Sequence, residues 1–270
     1  MQNNQPVVFL SVFKSGTEMM KKIIDDLTGL FSMEPEIIPG KVNYQDPNQL
    51  YFRIGHFYAW HLFPIPEVQK KLIAAQTRPI FLMRNIYDLA VSMYYQFADN
   101  IDADVGRGRN VDHYFRSMSK YDGLSAIIGG MSKPDFVWKG IGPHAWQMAL
   151  MLEFAQGYPC WVSSYEQITE DKSAQIRSLA AFLDIELSEA RLQNLVEASS
   201  FAAMKATAER NNQGSHFRSG RAGNHAQELG DDHIEQIRSE IERHAPQLPD
   251  LLNQAGMSHI VYAEKPLRRC

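Results

Sequence analysis

The first hydrophobic segment of the chain, Val7–Phe13, is almost continuously apolar and rich in β-branched and aromatic residues. Such a run is typical of a strand buried on both faces of a parallel sheet. The polar turn Lys14–Thr17 follows at once, and apolar residues then recur every three or four positions from Met19 to Leu30. This spacing predicts an amphipathic helix, so the order is strand, tight loop, helix.

The same alternation recurs along the chain. Pro79–Met83 reads as a strand that ends at Arg84-Asn85, and Asp88–Phe97 reads as the helix that follows. Tyr51–Phe57 and Cys160–Ser164 are further candidate strands. Strands that alternate with helices pair in parallel, which predicts an α/β fold. Further helices are expected at His144–Ala155, around Ile176–Leu183 and from Asp232 to Pro246, and irregular segments at Ala98–Asn110, Gly129–Pro143 and Asn211–Glu228.

Composition narrows the class of protein. With 270 residues and no evident linker, we expect a single domain over residues 1–270. A net charge of −4 argues against a protein that holds nucleic acid by broad phosphate neutralisation. Val7–Phe13 is too short to span a bilayer and lacks the flanking residues of a signal peptide. Cys160 and Cys270 could form at most one disulfide, too few for the disulfide framework of a small secreted domain. A cytoplasmic protein without a membrane span is therefore expected.

The turn Lys14–Thr17 is the sharpest chemical signal in the sequence. Backbone N–H groups and the positive end of the next helix would converge on an anion there, with a lysine and two hydroxyls beside it. The turn does not match the motif GxxxxGK[ST] of nucleotide triphosphatases, because its lysine precedes its only glycine. The turn predicts a phosphate or sulfate site, and an ordinary strand-to-helix turn with a surface lysine is the alternative.

Two later segments offer further anion-binding groups. Arg84 stands at the end of a predicted strand, and Ser92 stands eight positions later inside the next helix. Phe217–Gly223 places two arginines in a glycine-containing loop. Taken singly, the first segment also fits a salt-bridged arginine with a serine on a helix face, and the second fits a solvated basic loop.

Together, and in this chain order, the three segments resemble the sulfotransferases that use 3′-phosphoadenosine 5′-phosphosulfate (PAPS). The resemblance implies a P-loop-like sulfotransferase fold, a three-layer α/β/α arrangement with a central parallel sheet. It assigns the 5′-phosphosulfate to Lys14, Ser15, Gly16 and Thr17, with Lys14 also meeting the bridging oxygen. The family segment RNPKDxxVSxYxxF implies that Arg84 and Ser92 bind the 3′-phosphate, although Ile86 replaces the usual proline.

The late family segment RKGxxGDW is similar to residues 218–225. It implies that Arg218, Ser219 and Gly220 contact the nucleotide, with Ser219 in place of lysine and Asn224-His225 in place of Asp-Trp. Arg221 could compensate for the lost lysine.

The adenine site is also implied by resemblance. Tyr165 resembles the tyrosine that closes on the base, and Ser199-Ser200-Phe201 resembles the family's TSF, so Ser199 and Phe201 are expected to bind the nucleotide. Met19 takes the place of a stacking tryptophan, and methionine can still pack against a purine.

The implied reaction needs a base. In this family the base is a histidine, and it follows the strand that comes just before the strand ending at the arginine. His56 is expected at the end of a predicted strand, which would hold its side chain firmly. His61 better matches the family motif His-Leu-Pro and the number of residues that separate the histidine from the arginine, here Arg84. The sequence favours His56 as the base together with Lys14 and leaves His61 as the alternative.

The sequence therefore predicts in-line transfer of a sulfuryl group from PAPS to a hydroxyl or amine of a small-molecule acceptor, leaving adenosine 3′,5′-bisphosphate (PAP). No metal-ligand spacing is present, so no metal is expected. Aromatic residues between Ala98 and Pro143 would line an acceptor pocket or belong to the core. A kinase or other phosphoryl transferase and a non-catalytic nucleotide-binding protein are the alternatives, and a homodimer is left open.

Overall fold

The structure is a computed structural model that describes residues 5–33, 50, 52–99, 111–210 and 222–262, with only the backbone described at 31–33 and at Trp60. The chain divides into two compact units. The first is formed by Met1–Met83 and Leu150–Met204, and the second by Arg84–Ala149 and Lys205–Cys270. The single domain expected over residues 1–270 stays a prediction.

The first unit contains a parallel sheet. Its described strands are β1 (Val7–Ser11), β2 (Phe31–Met33), β3 (His56–Trp60), β4 (Arg78–Met83) and β7 (Trp161–Ser164). They lie in the order β2-β3-β1-β4-β7, and every neighbouring pair is parallel. The central position of β1 explains its unbroken apolar sequence, because all five of its residues are buried.

Helices surround this sheet within the first unit. They are α1 (Thr17–Thr28), α2 (Pro66–Ala74), α7 (Tyr165–Glu170), α8 (Lys172–Phe182) and α9 (Glu189–Ala198). The apolar stripes of α1, α8 and α9 form one buried cluster with the sheet, in which Ile24, Leu179 and Leu192 are almost wholly inaccessible to solvent. The expected α/β fold with a central parallel sheet is confirmed.

The second unit is mainly helical. Its described elements are α3 (Ile86–Ala98), α4 (Asp112–Arg116), α5 (Lys120–Gly129), the antiparallel hairpin β5 (Met131–Lys133) and β6 (Phe136–Trp138), α11 (His225–Glu228), α12 (Asp231–His244), α13 (Leu248–Gln254) and a 3-10 helix at Ser258–Ile260. Two further helices, α6 (Gly142–Gly157) and α10 (Phe201–Arg210), cross a boundary between the units along the chain. Phe97 packs against Phe115, Phe136 and Trp138, so these last three, expected either to line an acceptor pocket or to belong to the core, pack within this unit.

Most predicted elements are found near their expected limits, and four segments differ. Asn211–Glu228, expected to be irregular, contains α11 in its described part. Residues 100–110 of the expected irregular segment Ala98–Asn110 lie outside the described residues. The strand expected at Tyr51–Phe57 begins only at His56 and ends at Trp60. The segment Gly129–Pro143, expected to be irregular, contains the β5–β6 hairpin. The late helix is preceded by Gly230 as its N-cap, two residues before the expected Asp232. Among the helices the structure describes, none combines the length and the apolar character needed to cross a bilayer.

Gly140 provides a stability test for the second unit. Its φ is +78°, and a Cβ there would lie 2.5 Å from the carbonyl oxygen of Ile128. Because both the backbone conformation and the close backbone contact exclude a side chain, Gly140→Ala should lower the free energy of unfolding by about 2 kcal/mol or more, measured by urea denaturation.

Gly157→Ala is the matched control, since a Cβ at the end of α6 meets nothing within 4 Å. We expect this control to change stability by less than about 1 kcal/mol. Equal losses in the two variants would contradict the tight turn at Gly140.

Candidate active site

The turn after β1 has the backbone geometry of an anion-binding loop. Ser15 donates from both its N–H and its hydroxyl to the carbonyl of Val12, at 3.2 and 2.6 Å, which closes the turn tightly. Lys14 and Gly16 both have positive φ, 64° and 93°. A non-glycine residue in this conformation is strained, and such strain is retained where the surrounding structure holds it in place.

Gly16 is required by a neighbouring side chain as well as by its φ. A Cβ at this position would lie 2.7 Å from Cδ2 of Tyr165, so the Tyr165 ring rests directly against the glycine. Met19 reaches the same place, with its Cε 3.6 Å from that Cβ position. The structure therefore brings together the loop, Tyr165 and Met19, all of which the sequence assigned to the nucleotide.

The first turn of α1 supplies donors beside this loop. Its N-cap is Gly16, and no side-chain cap hydrogen bond is present there. Four N–H groups at a helix start have no partner within the helix, and they favour anions together with the helix dipole. Lys14 is half-buried, with its Nζ 6.0 Å from the centre of the Phe13 ring. Lys14, Ser15, Gly16 and Thr17 are thus one compact turn whose donors and charge fit a phosphate or sulfate group.

A histidine is hydrogen-bonded to the strand end that leads into this turn. Nδ1 of His61 lies 3.0 Å from the carbonyl oxygen and 3.2 Å from the hydroxyl of Ser11. The Ser11 hydroxyl in turn lies 3.0 Å from the hydroxyl of Thr17. An imidazole and the anion-binding turn therefore share one hydrogen-bonded cluster.

The surroundings of His61 disfavour its charged form. Desolvation lowers its pKa below the ordinary value of 6.5, the Ser11 carbonyl and Glu18 oppose this, and the positive charges of Lys21 and Lys14 add to it. Desolvation is the largest of these effects, although His61 as a residue is exposed. His61 is therefore mainly neutral near pH 7.

The strand position expected for His56 is wrong, because His56 begins a strand instead of ending one. His56 begins β3, and its neighbour Phe57 pairs with Val7 at the amino end of β1. It is half-buried, and its Nδ1 contacts the carbonyl of Ile54 at 3.2 Å. Five residues of a strand span roughly 16 Å, so His56 lies at the edge of the sheet opposite the anion-binding turn.

The residues expected around adenine lie in the first unit. Ser199 follows α9 and donates its hydroxyl to the carbonyl of Leu195 at 2.7 Å. The Nζ of Lys172 donates to the Ser199 carbonyl at 2.6 Å, and burial lowers the pKa of this lysine. Phe201 begins α10 and is half-buried. Lys172 thus holds the end of α9 where the expected adenine-binding segment starts.

The residues expected at the 3′-phosphate that the structure describes lie in the second unit. Arg84 is largely buried and directly precedes Asn85, the N-cap of α3. The Asn85 side chain accepts from the N–H groups of Tyr87 and Asp88 and donates to the carbonyl of His259 at 2.6 Å. Ser92 is half-buried on the same helix. The Asn85 side chain therefore caps the start of α3 and also binds it to the chain at His259.

Asp88 organises the chain that follows the basic loop. Its carboxylate accepts from the N–H of Gly223 at 2.6 Å and from the N–H and Nδ1 of His225 at 2.9 and 3.0 Å. Burial by itself would raise the pKa of Asp88, but the His225 hydrogen bond, the charge of Arg84 and the two amides outweigh it, so the pKa is lowered. The ionised carboxylate therefore anchors Gly223 and His225 to α3.

Arg218, Ser219 and Gly220, together with Arg221, lie outside the described residues, and their expected contacts stay predictions. Within the described ranges, no three His, Cys, Asp or Glu side chains are grouped as metal ligands would be.

Sequence reasoning missed two residues of these clusters, Ser11 and Asp88. Ser11 is the one polar position in β1, and Asp88 is the one acidic residue in the buried first turns of α3. A buried polar side chain inside an apolar element was the available signal for both.

Solved structures of similar fold include a sulfotransferase and a dehydratase. Mouse sulfotransferase SULT7A1 complexed with PAP aligns with a TM-score of 0.67 at 17% identity, over 92% of this chain and 88% of that chain. Retinol dehydratase aligns in a complex with retinol and PAP (TM-score 0.60, 16% identity, 88% and 80% covered) and in a complex with androsterone and inactive cofactor PAP (0.61, 15%, 90% and 81%). At these identities the likeness shows the fold.

Sequence comparison identifies the family. No curated protein sequence matches this chain. The family model described as the sulfotransferase domain matches residues 4–249, which include the turn Lys14–Thr17, His61 and Asp88. The chain therefore belongs to the sulfotransferase domain family.

Proposed function

We propose that this sulfotransferase moves the sulfuryl group of PAPS to a hydroxyl or amine of a small-molecule acceptor, with His61 as the general base. One observation carries the proposal. A mainly neutral imidazole is hydrogen-bonded through Ser11 to the hydroxyl of Thr17, in the turn whose lysine, N–H groups and helix terminus fit a sulfate or phosphate. A proton acceptor would thus stand beside a sulfuryl group bound at this turn.

The tautomer of His61 suits this role. A carbonyl oxygen only accepts, so Nδ1 carries the proton in its contact with Ser11. In the neutral ring Nε2 then has the lone pair. As the acceptor oxygen or nitrogen forms its bond to sulfur, its proton would pass to Nε2, and the resulting imidazolium would keep its bond to the carbonyl.

Lys14 and the start of α1 would stabilise the leaving group. The bond between sulfur and the 5′-phosphate oxygen breaks, and negative charge develops on that oxygen. An ammonium group and oriented backbone donors stabilise such charge without reorganising during the reaction. Lys14 would act on the bridging oxygen, and Ser15, Gly16 and Thr17 would hold the non-bridging oxygens.

The rest of the nucleotide is assigned by family resemblance. Arg84 and Ser92 would bind the 3′-phosphate, and Arg218, Ser219 and Gly220 would add to that grip. Tyr165, Ser199 and Phe201 would hold adenine. The contact of Tyr165 with Gly16 supports the adenine assignment, because an aromatic ring lies directly beside the turn Lys14–Thr17.

The acceptor is proposed to be a small apolar molecule. Solved proteins of this fold were obtained with retinol and with androsterone, both together with PAP. The proposed setting is the cytoplasm, where two cysteines in 270 residues would remain reduced. A homodimer stays a prediction.

The nucleotide assignment is tested by PAP binding to a Gly16→Ala variant. The added methyl group would meet the Tyr165 ring and oppose the positive φ. We expect the PAP dissociation constant, measured by titration calorimetry, to rise by at least about tenfold, equivalent to about 1.4 kcal/mol.

Gly29→Ala is the matched control at the other end of α1. Gly29 also has a positive φ, 62°, but its Cβ position is open. This control should lose stability and keep PAP affinity. Unchanged PAP binding in Gly16→Ala, or no PAP binding by the wild type, would refute the nucleotide site.

The base is tested by comparing His61→Gln with His56→Gln. His61→Gln should lower kcat for sulfuryl transfer from PAPS by about 10² to 10⁴ and leave PAP affinity within a few fold, because the base does not hold the nucleotide. His56→Gln should retain kcat, since His56 lies at the opposite edge of the sheet. The reverse result would restore His56 as the base.

The pH dependence follows from the lowered pKa of His61. The base works only when neutral, so kcat/KM should be constant near pH 7 and decline on acidification with a midpoint below 6.5. A series of rates between about pH 5 and 8 measures this midpoint. A decline centred above 6.5 would be inconsistent with the environment described for His61.

A further inference from the structure

Ser11 stands between the proposed base and the anion-binding turn. It is the last residue of β1 and is fully buried. Its carbonyl and its hydroxyl both contact Nδ1 of His61, at 3.0 and 3.2 Å, and its hydroxyl also contacts that of Thr17 at 3.0 Å. Ser11 thus contacts His61 through both its carbonyl and its hydroxyl, and its hydroxyl also contacts the turn at Thr17.

The chemistry of these groups sets the direction of the contacts between Ser11 and His61 and limits that of the contact with Thr17. The Ser11 carbonyl can only accept, so the proton lies on Nδ1 of His61. A protonated ring nitrogen has no lone pair to offer, so the Ser11 hydroxyl accepts in its contact with that nitrogen. The Ser11 hydroxyl keeps one proton to donate, and Oγ1 of Thr17, 3.0 Å away, can accept it.

Thr17 completes the chain. When its oxygen accepts from Ser11, its own hydroxyl proton is free to point away from Ser11. Thr17 is the first residue of α1, where the backbone N–H groups also point outward from the helix start. Its hydroxyl would therefore donate to an anion at the turn.

We propose that Ser11 is a positioning residue that sets this chain of donors, from Nδ1 of His61 to the hydroxyl of Thr17, and so prepares the base and the sulfuryl-binding turn together. The inference rests on the proposed function. With the opposite direction, the base would present an N–H to the acceptor, and Thr17 would present a lone pair to an anionic sulfuryl group.

The same contacts would strengthen during the reaction. When Nε2 takes the acceptor's proton, the ring becomes positively charged and its Nδ1–H becomes a stronger donor. Both oxygens of Ser11 then face a cation. The Ser11 hydroxyl would stabilise the protonated base in addition to orienting it.

The first test is the tautomer of His61 in the protein without ligand. Two-dimensional ¹⁵N–¹H spectra of the imidazole rings distinguish protonated Nδ1 from protonated Nε2, and the His61→Gln variant identifies the His61 signals. The neutral wild-type ring should carry its proton on Nδ1. A proton on Nε2 would overturn the inference.

This spectrum needs neither PAPS nor turnover. A wild type that shows the Nδ1–H tautomer but neither binds PAP nor transfers sulfuryl groups would refute the proposed function and leave the chain of donors intact. The two failures are therefore distinguishable.

The second test removes the Ser11 hydroxyl and keeps the carbonyl. In Ser11→Ala, the NMR titration midpoint of His61 should fall by about half a pH unit, because an acceptor that favours the charged ring is lost. The acid limb of kcat/KM should shift in the same direction, and kcat should fall by about tenfold. Ser11→Thr, which keeps a hydroxyl, should restore both.

Thr77→Val is the matched control. It also removes a buried hydroxyl from the first unit, one that donates to the carbonyl of Leu72 just before β4 begins. Both variants should lower the thermal unfolding midpoint, and only Ser11→Ala should move the His61 titration. An unmoved titration in a folded Ser11→Ala protein would show that Ser11 is merely structural and would overturn the inference.

Discussion

The register between β1 and β3 is the constraint on which the candidate site depends. Leu10 pairs with Trp60, so the next residues, Ser11 and His61, come level at the carboxyl edge of the sheet. In a parallel sheet this edge also carries the turn that leads from β1 into α1. A slip of one residue would send every side chain of β3 to the other face of the sheet and separate the imidazole from the loop.

Backbone conformation and packing then convert that edge into an anion-binding turn. Positive φ at Lys14 and Gly16 turns the chain sharply, and the Tyr165 ring occupies the space that a side chain at Gly16 would need. The strain is tolerated because β1 is buried at the centre of the sheet and α1 packs on the core behind it. A rigid scaffold thus supports a locally strained loop, as functional sites commonly require.

The second unit has a comparable anchor in Asp88. Its carboxylate holds Gly223 and His225 by three hydrogen bonds, although the sequence there reads Asn224-His225 where the family has Asp-Trp. In one of those hydrogen bonds the donor is Nδ1 of the His225 imidazole. The departure from the family pattern is therefore accommodated by a specific contact in this chain.

The sequence by itself determined the alternation of strands and helices, the buried β1, the turn at Lys14–Thr17 and the family, because these follow from local apolar periodicity and from short motifs. It misplaced His56, since the run of aromatic residues around it does not show where a strand begins. Only the tertiary structure decided which histidine meets the turn, because that depends on the register of two strands about 50 residues apart in the chain. It likewise decided that Ser11 and Asp88 matter, since hydrogen bonds between distant segments leave no local pattern in a sequence.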